Sequence, residues 1–149
     1  MLDNEALLAD GQTVTATGDT PTTNIYDTGG TNGQGDLGQT QERLWFNIRV
    51  ATTATSGGSA TITGVLQVSD DATTWTDLVA GTSTPVASAV AGYDLLRVQP
   101  PPIPFGNPSR YYRGVVRVGT AVLTAGTFDC YFSNTIQRNI ARQSGFSVL

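Results

Sequence analysis

Asp70 and Asp71 are the only adjacent carboxylates in the chain, and Asp77 follows close behind them. Two carboxylates held near each other are the working pair of a glycosidase. The same residues read more simply as a turn. Ser69, Asp70 and Asp71 are types whose side chains bond nearby backbone N–H groups where a hairpin begins. The stretch from Gly29 to Gly38, GGTNGQGDLG, is the most glycine-dense. Such loops cradle phosphate between a strand and a helix N-terminus, often with a Lys. Here Arg43 to Val50 follows with the pattern of a strand, so a surface loop is expected. Asp36 within it lacks the repeated acidic ligands of an EF-hand. Cys130 alternates with Phe128 and Phe132, which puts it on an apolar strand face as a buried, inert thiol.

The eight basic residues are all Arg; the chain has no Lys and no His. That removes Ser-His-Asp and Cys-His catalysis, imidazole metal sites, P-loops and Schiff-base chemistry. Arg110, Arg113 and Arg117 crowd one segment, the last two on the same strand face as Val115. An Arg stripe can grip RNA, but a net charge of -4 and no interleaved Lys argue against a nucleic-acid partner. Arg also pairs bidentately with carboxylates across protein interfaces. Trp45 and Trp75, with Tyr26, Tyr111, Tyr112 and Tyr131, offer material for a sugar-stacking platform. Trp45 and Arg49 share the face opposite Leu44 and Phe46, a pairing that suits protein contacts. No catalytic residue, cofactor or metal ligand is expected, and the chain is not read as an enzyme.

The elements that hold these residues are strands. Leu44, Phe46, Ile48 and Val50 alternate with Trp45, Asn47 and Arg49, and Ile62, Gly64, Leu66 and Val68 repeat the period of two. Thr, the commonest residue with 23 copies, and Val favour pleated surfaces because they branch at Cβ. Ala51 to Ser59 reads as a hairpin loop, and Tyr111 to Val118 with Thr127 to Ser133 as a terminal hairpin. Thr13 to Thr17 and Thr22 to Tyr26 read as strands broken by Gly18 to Pro21, and Asp3 as the cap of a short helix over Asn4 to Ala9. Tyr93 to Gln99 reads as a strand closed by Pro100 to Pro102, and PPPIPFGNP as a stiff crossover with Ile103 and Phe105 beneath it. The sum is an all-β chain, an antiparallel β-sandwich or jelly roll of about eight strands with short terminal arms. One domain is expected over 1–149: an N-terminal arm at 1–11, the sandwich at 12–133 and a C-terminal arm at 134–149.

Cys130 is the only cysteine, so an intrachain disulfide and a Cys-ligated zinc are excluded, and an intracellular origin is the simpler reading. The first residues, MLDNEALLADG, are acidic where a signal peptide carries Lys or Arg. No run approaches the roughly 20 apolar residues of a membrane-spanning helix, so no membrane partner is expected. Beyond Ser133 the strand pattern stops, yet Ile136, Ile140, Phe146, Val148 and Leu149 remain apolar, with Arg138 and Arg142 between them. Leu2, Leu7 and Leu8 make a similar cluster beside Asp3 and Glu5. Apolar residues in such ends bury against something, either the chain's own sandwich or a partner. The expected contact set is therefore Leu2, Leu7, Leu8, Trp45, Arg49, Ile136, Arg138, Ile140, Arg142 and Phe146.

Several segments, in order, resemble one family. MLDNEALLADGQTVTATGDTPTTNIYDTG at the start is followed by LQVSDDATTWTDLV, with its Ser69-Asp70-Asp71 turn and Trp75. The Pro-rich crossover, Arg110-Tyr111-Tyr112-Arg113 and the Ser144-Gly145-Phe146 tail come next. Together these resemble the small jelly-roll capsid cement, or decoration, proteins of tailed bacteriophages, of the Bordetella podophage type. The likeness spans nearly the whole chain, with a longer insertion in the Gly29–Gly38 loop. The resemblance implies a non-enzymatic virion protein, made in the host cytoplasm, that binds the outer capsid surface and locks neighbouring major capsid proteins together. It also implies small homo-oligomers, dimers before trimers. The alternative from the residues alone is a carbohydrate-binding β-sandwich of a phage tail or surface adhesin.

Overall fold

Alternating apolar and polar side chains build ten strands among the described residues, which are 6–29, 44–104, 106–108 and 110–133 of the computed structural model. They are β1 (Leu7–Thr13), β2 (Gly18–Pro21), β3 (Tyr26–Asp27), β4 (Trp45–Thr55) and β5 (Thr61–Ser69) in the first half. The second half holds β6 (Thr76–Ala80), β7 (Thr84–Pro85), β8 (Asp94–Val98), β9 (Tyr111–Gly119) and β10 (Ala125–Ser133). A 3-10 turn, Val86–Ser88, sits between β7 and β8.

Two antiparallel sheets pack face to face. The first runs β1-β10-β4-β8 and the second β2-β9-β5-β6. β3 continues the β2 row along β9, and β7 continues the β6 row along β5. Counting each continued row once leaves eight strand positions, four per sheet. In chain order the sheets then read 1-8-3-6 and 2-7-4-5, the double Greek key of a jelly roll. The expected β-sandwich is therefore present.

This topology corrects two hairpins. β4 and β5 lie in different sheets, as do β9 and β10, so the short loops after Thr55 and Gly119 cross from one sheet to the other. Turn-forming residues mark where a chain reverses but not whether the next strand pairs with the last one. The Gly18–Pro21 stretch expected as a break is itself strand β2, paired with Val115 to Val118. Pro21 is tolerated because β2 is an edge strand, where a missing donor costs no ladder bond. Leu7 to Ala9 form strand, not helix, because β1 pairs with β10 from Leu7 onward. The residues from Leu7, expected in an N-terminal arm over 1–11, therefore belong to the sandwich.

The core lies between the sheets. Phe46, Ile48, Val50, Ile62, Leu66, Val68, Val116, Val118, Phe128 and Phe132 are all buried in it, and Leu44 packs at its margin. Around Phe132 an aromatic cluster closes one end: Phe46 and Tyr26 each stand 5.2 Å away, and Tyr112 meets it edge-on at 6.4 Å. The sheets come closest at Gly114, where a Cβ would overlap the Cys130 sulfur. Gly64, on the neighbouring strand β5, would place a Cβ 3.0 Å from that of Leu96. Small residues at these two points let the layers approach.

Register also decides where the chain leaves the sandwich. Leu7 at the start of β1 pairs with Tyr131 near the end of β10, and Trp45 at the start of β4 pairs with Ser133. Val98 at the end of β8 lies opposite Phe46, Ser69 opposite Tyr111 and Asp27 opposite Tyr111. Thus both terminal segments, the Asp70–Asp71 turn, the segment joining β3 to β4 and the Pro-rich crossover all attach at one pole. The other pole carries only short connections. Ile103 is buried in the crossover, as expected, while Phe105 lies outside the described residues.

Candidate functional site

Two outer faces remain once the core is filled, and their arginines behave differently. On the second sheet the Arg stripe is turned inward on its own strands. Arg117 on β9 donates from Nε and Nη2 to both oxygens of Asp19 on β2, at 2.5 and 2.8 Å. Its Nη2 also reaches Asp77 Oδ2 on β6 at 3.0 Å. Gln67 Nε2 donates to Asp77 Oδ1 at 2.7 Å, and Arg113 Nε donates to Gln67 Oε1 at 2.9 Å. The Arg113 guanidinium lies 4.2 Å above the Trp75 ring. This chain of contacts crosses every row of the sheet and roofs Val65 and Val115, both fully buried on the outer face. Arg117 holds the Asp19 carboxyl below the usual carboxylate range, and Asp19 in return raises Arg117.

Arg110 is also occupied. It makes two bonds to Asp27, at 3.0 and 3.1 Å, and lies over the Tyr111 ring. That pair fastens the end of β3 to the start of β9 at the pole where the long segments attach. The charges of Arg110 and Arg117 are thus met within the chain.

The Asp70–Asp71 pair resolves as a turn. Asp71 Oδ1 accepts from the backbone N–H of Thr73 and Thr74, at 2.8 and 2.7 Å, and from Ser69 Oγ at 2.9 Å. These bonds hold its carboxyl far below the ordinary range, so it stays an anion rather than a proton donor. Asp77 is committed to Arg117 and Gln67. The Cys130 thiol is buried, and burial raises it well above the ordinary range. Among the described residues no group of His, Cys, Asp and Glu could hold a metal ion.

The outer face of the first sheet carries Trp45, Arg49, Asp94, Arg97 and Asp129. Trp45 and Arg49 are half-buried on it, with Asn47 between them on the same face. Arg49 faces Asp94 on β8 and Asp129 on β10. Asp94 and Arg97 form an ion pair, while the Arg49–Asp94 pair is long, at 4.0 Å. Period-two reasoning misses Asp94 and Arg97 as partners of one face, because a spacing of three puts them on opposite sides. A bulge resolves this: Ile48 pairs with Leu96 and Arg49 with Asp94, which leaves Leu95 as the extra residue.

The remaining expected contacts divide. Leu8 is fully buried in the core, so it packs the sandwich and is not a surface contact. Leu7 is half-buried at the edge of β1. Leu2, Ile136, Arg138, Ile140, Arg142 and Phe146 lie outside the described residues. The aromatic residues do not share one platform. Trp45 begins β4 on the first sheet while Trp75 lies against Arg113 of the second, Tyr112 is in the core, and Tyr26 packs against Phe132. Among the described residues no helix is long and apolar enough to cross a membrane.

Comparison with known proteins adds the lineage. No curated protein matches the chain. The model of the family described as Bbp16 matches residues 8–132, which is β1 through nearly all of β10. The chain therefore belongs to the Bbp16 family.

Proposed function

We propose that this protein is a structural component of a phage virion that binds the outer capsid surface and cements neighbouring major capsid proteins. The observation that carries the reading is the family match over residues 8–132, whose name suggests a Bordetella phage protein. The architecture supports it. Arg110 and Arg117 tie the strands of the second sheet to one another, and both terminal segments attach at one pole of the jelly roll. A body of that form can dock with one end and hold more than one shell subunit through two arms. Each arm adds little alone, but linked contacts raise the overall hold by effective concentration. The apolar residues Leu2, Ile136, Ile140, Phe146, Val148 and Leu149, with Arg138 and Arg142, are the contact groups of those arms in this reading. Trp45 and Arg49 supply contacts on the adjoining sheet face. The role needs no catalytic residue and no cofactor, and the partners are the major capsid protein and a second copy of this chain.

Deleting Gly145 to Leu149 tests the reading. The truncated protein should melt as the full chain does and no longer decorate expanded heads lacking this protein. Undiminished decoration, or a large fall in melting temperature, would remove the arm from the contact.

A further inference from the structure

The arginines of the two outer faces are unequally satisfied. On the second sheet Arg110, Arg113 and Arg117 all donate to oxygen acceptors at 3.4 Å or less. On the first sheet Arg49 makes no hydrogen bond among the described residues, and its one ion pair, to Asp94, is 4.0 Å long. The Arg97 Nε is buried without a hydrogen-bond partner, although its Nη2 meets Asp94. A guanidinium presents five donors in a planar fork, and a buried donor left unmade costs free energy. Arg97 Nε is the one such atom among the described residues, and it stands on the same sheet face as the Arg49 fork.

Beside Arg49 the surface is concave. Arg49, Val50, Ala51, Ala91, Gly92 and Asp129 line a cleft of about 380 Å³. Val90 and Tyr93, which flank Ala91 and Gly92 in the chain, are 49% and 39% exposed. Asp129, opposite Arg49 on β10, turns its Oδ1 to the Gly11 N–H, 2.7 Å away. The geometry points to a docking site for an acidic segment of a protein, whose carboxylate side chain enters this cleft and takes Arg49 as a bidentate partner. Carboxylate fits the planar fork, and the exposed Val90 and Tyr93 supply apolar contact to the segment carrying it. Asp94 and Asp129 stand close by, and their charges oppose a dianion such as phosphate more than a single carboxylate. This deepens the capsid-binding proposal, on which it rests only for the identity of the protein that brings the carboxylate.

The test uses the full chain, labelled with nitrogen-15, and follows the arginine Nε–H signals. The probes are an acetylated, amidated peptide of alternating Glu and Asp, its Gln and Asn counterpart, and inorganic phosphate. The acidic peptide should shift the Arg49 signal saturably and leave Arg117 in place, while the neutral peptide and phosphate do neither. Arg49→Gln should weaken the peptide by about tenfold or more. Ala91→Trp should do the same by filling the cleft while keeping the arginine. Equal shifts at Arg49 and Arg117, tighter binding of phosphate, or unchanged affinity in both variants would overturn the site. Decoration of heads is measured separately. If Arg49→Gln loses the peptide yet decorates normally, the carboxylate site stands and the capsid contact lies elsewhere. If the peptide binds neither variant nor the native chain, the site falls whatever the heads do.

Discussion

Replacing Gly114 with alanine adds one methyl group at the tightest point between the sheets. The new Cβ would overlap Cys130 Sγ and sit 2.9 Å from Thr22 Cγ2 and 3.2 Å from Phe46 Cζ. Non-bonded carbons are comfortable at about 3.5–4.0 Å, so every neighbour must give way. Retreat of the backbone is blocked. Gly114 N donates to Thr22 Oγ1 at 3.2 Å, its carbonyl accepts from Thr22 N at 2.9 Å, and it pairs with Leu66 on β5. Overpacking of a close-packed core costs about 1–3 kcal/mol, and a clash in three directions puts Gly114→Ala in the upper half, about 2–3 kcal/mol. For a chain of this size that is a fall in melting temperature of roughly 4–12 °C. Cys130→Ala alone should cost about 1 kcal/mol for the small void it leaves. The double variant carries the sharper expectation: removing the sulfur relieves the overlap, so its loss should fall short of the sum by at least about 1 kcal/mol. Urea unfolding of the four proteins measures this directly. Additive losses, or a neutral Gly114→Ala, would mean that Gly114 does not face Cys130 and that β9 is out of register by one residue.

Leu8→Ala should cost about 2–5 kcal/mol, because Leu8 is fully buried; unchanged denaturant stability would return it to the surface. Arg117→Met keeps a stem over Val65 and Val115 but removes the bonds to Asp19 and Asp77. With side chains about two-fifths exposed, that network should contribute no more than about 1 kcal/mol, and less in 1 M NaCl; a salt-independent loss would point to packing instead. Acid should act through Asp19, Asp27 and Asp71, whose carboxyls are all held low in the folded chain. Their contribution is complete above the unfolded carboxylate range, near pH 4, and is lost as the pH falls through the lower folded values. Melting temperature should be level above about pH 5 and decline below about pH 4, and Asp71→Asn should lessen the decline.

Much of the sandwich was legible because period-two alternation is local. Phe46, Ile48 and Val50 announce a face by themselves, and so do Phe128, Cys130 and Phe132. Pairing is not local, which is why β9 and β10 looked like a hairpin although they belong to different sheets. Pro21 misled for a related reason: it breaks a central strand but not an edge, and nothing in the order of residues says which β2 is. The arginines show the same limit at the candidate site. Alternation placed Arg113 and Arg117 outward correctly, but their partners Gln67, Asp19 and Asp77 come from rows distant in sequence. On the first sheet the bulge at Leu95 brings Asp94 and Arg97, which a spacing of three would separate, onto one face, and only pairing with β4 reveals it.

The cement proposal is tested most directly on particles. Heads assembled with and without this protein, compared by cryo-electron microscopy and by heat release of DNA, report both place and effect. The proposal expects a jelly roll on the outer shell at a fixed ratio to the major capsid protein, docked by the pole where Leu7 and Ser133 lie. It also expects heads lacking the protein to assemble but to break at lower temperature. Equal heat resistance, with no density for the protein on the shell, would contradict it.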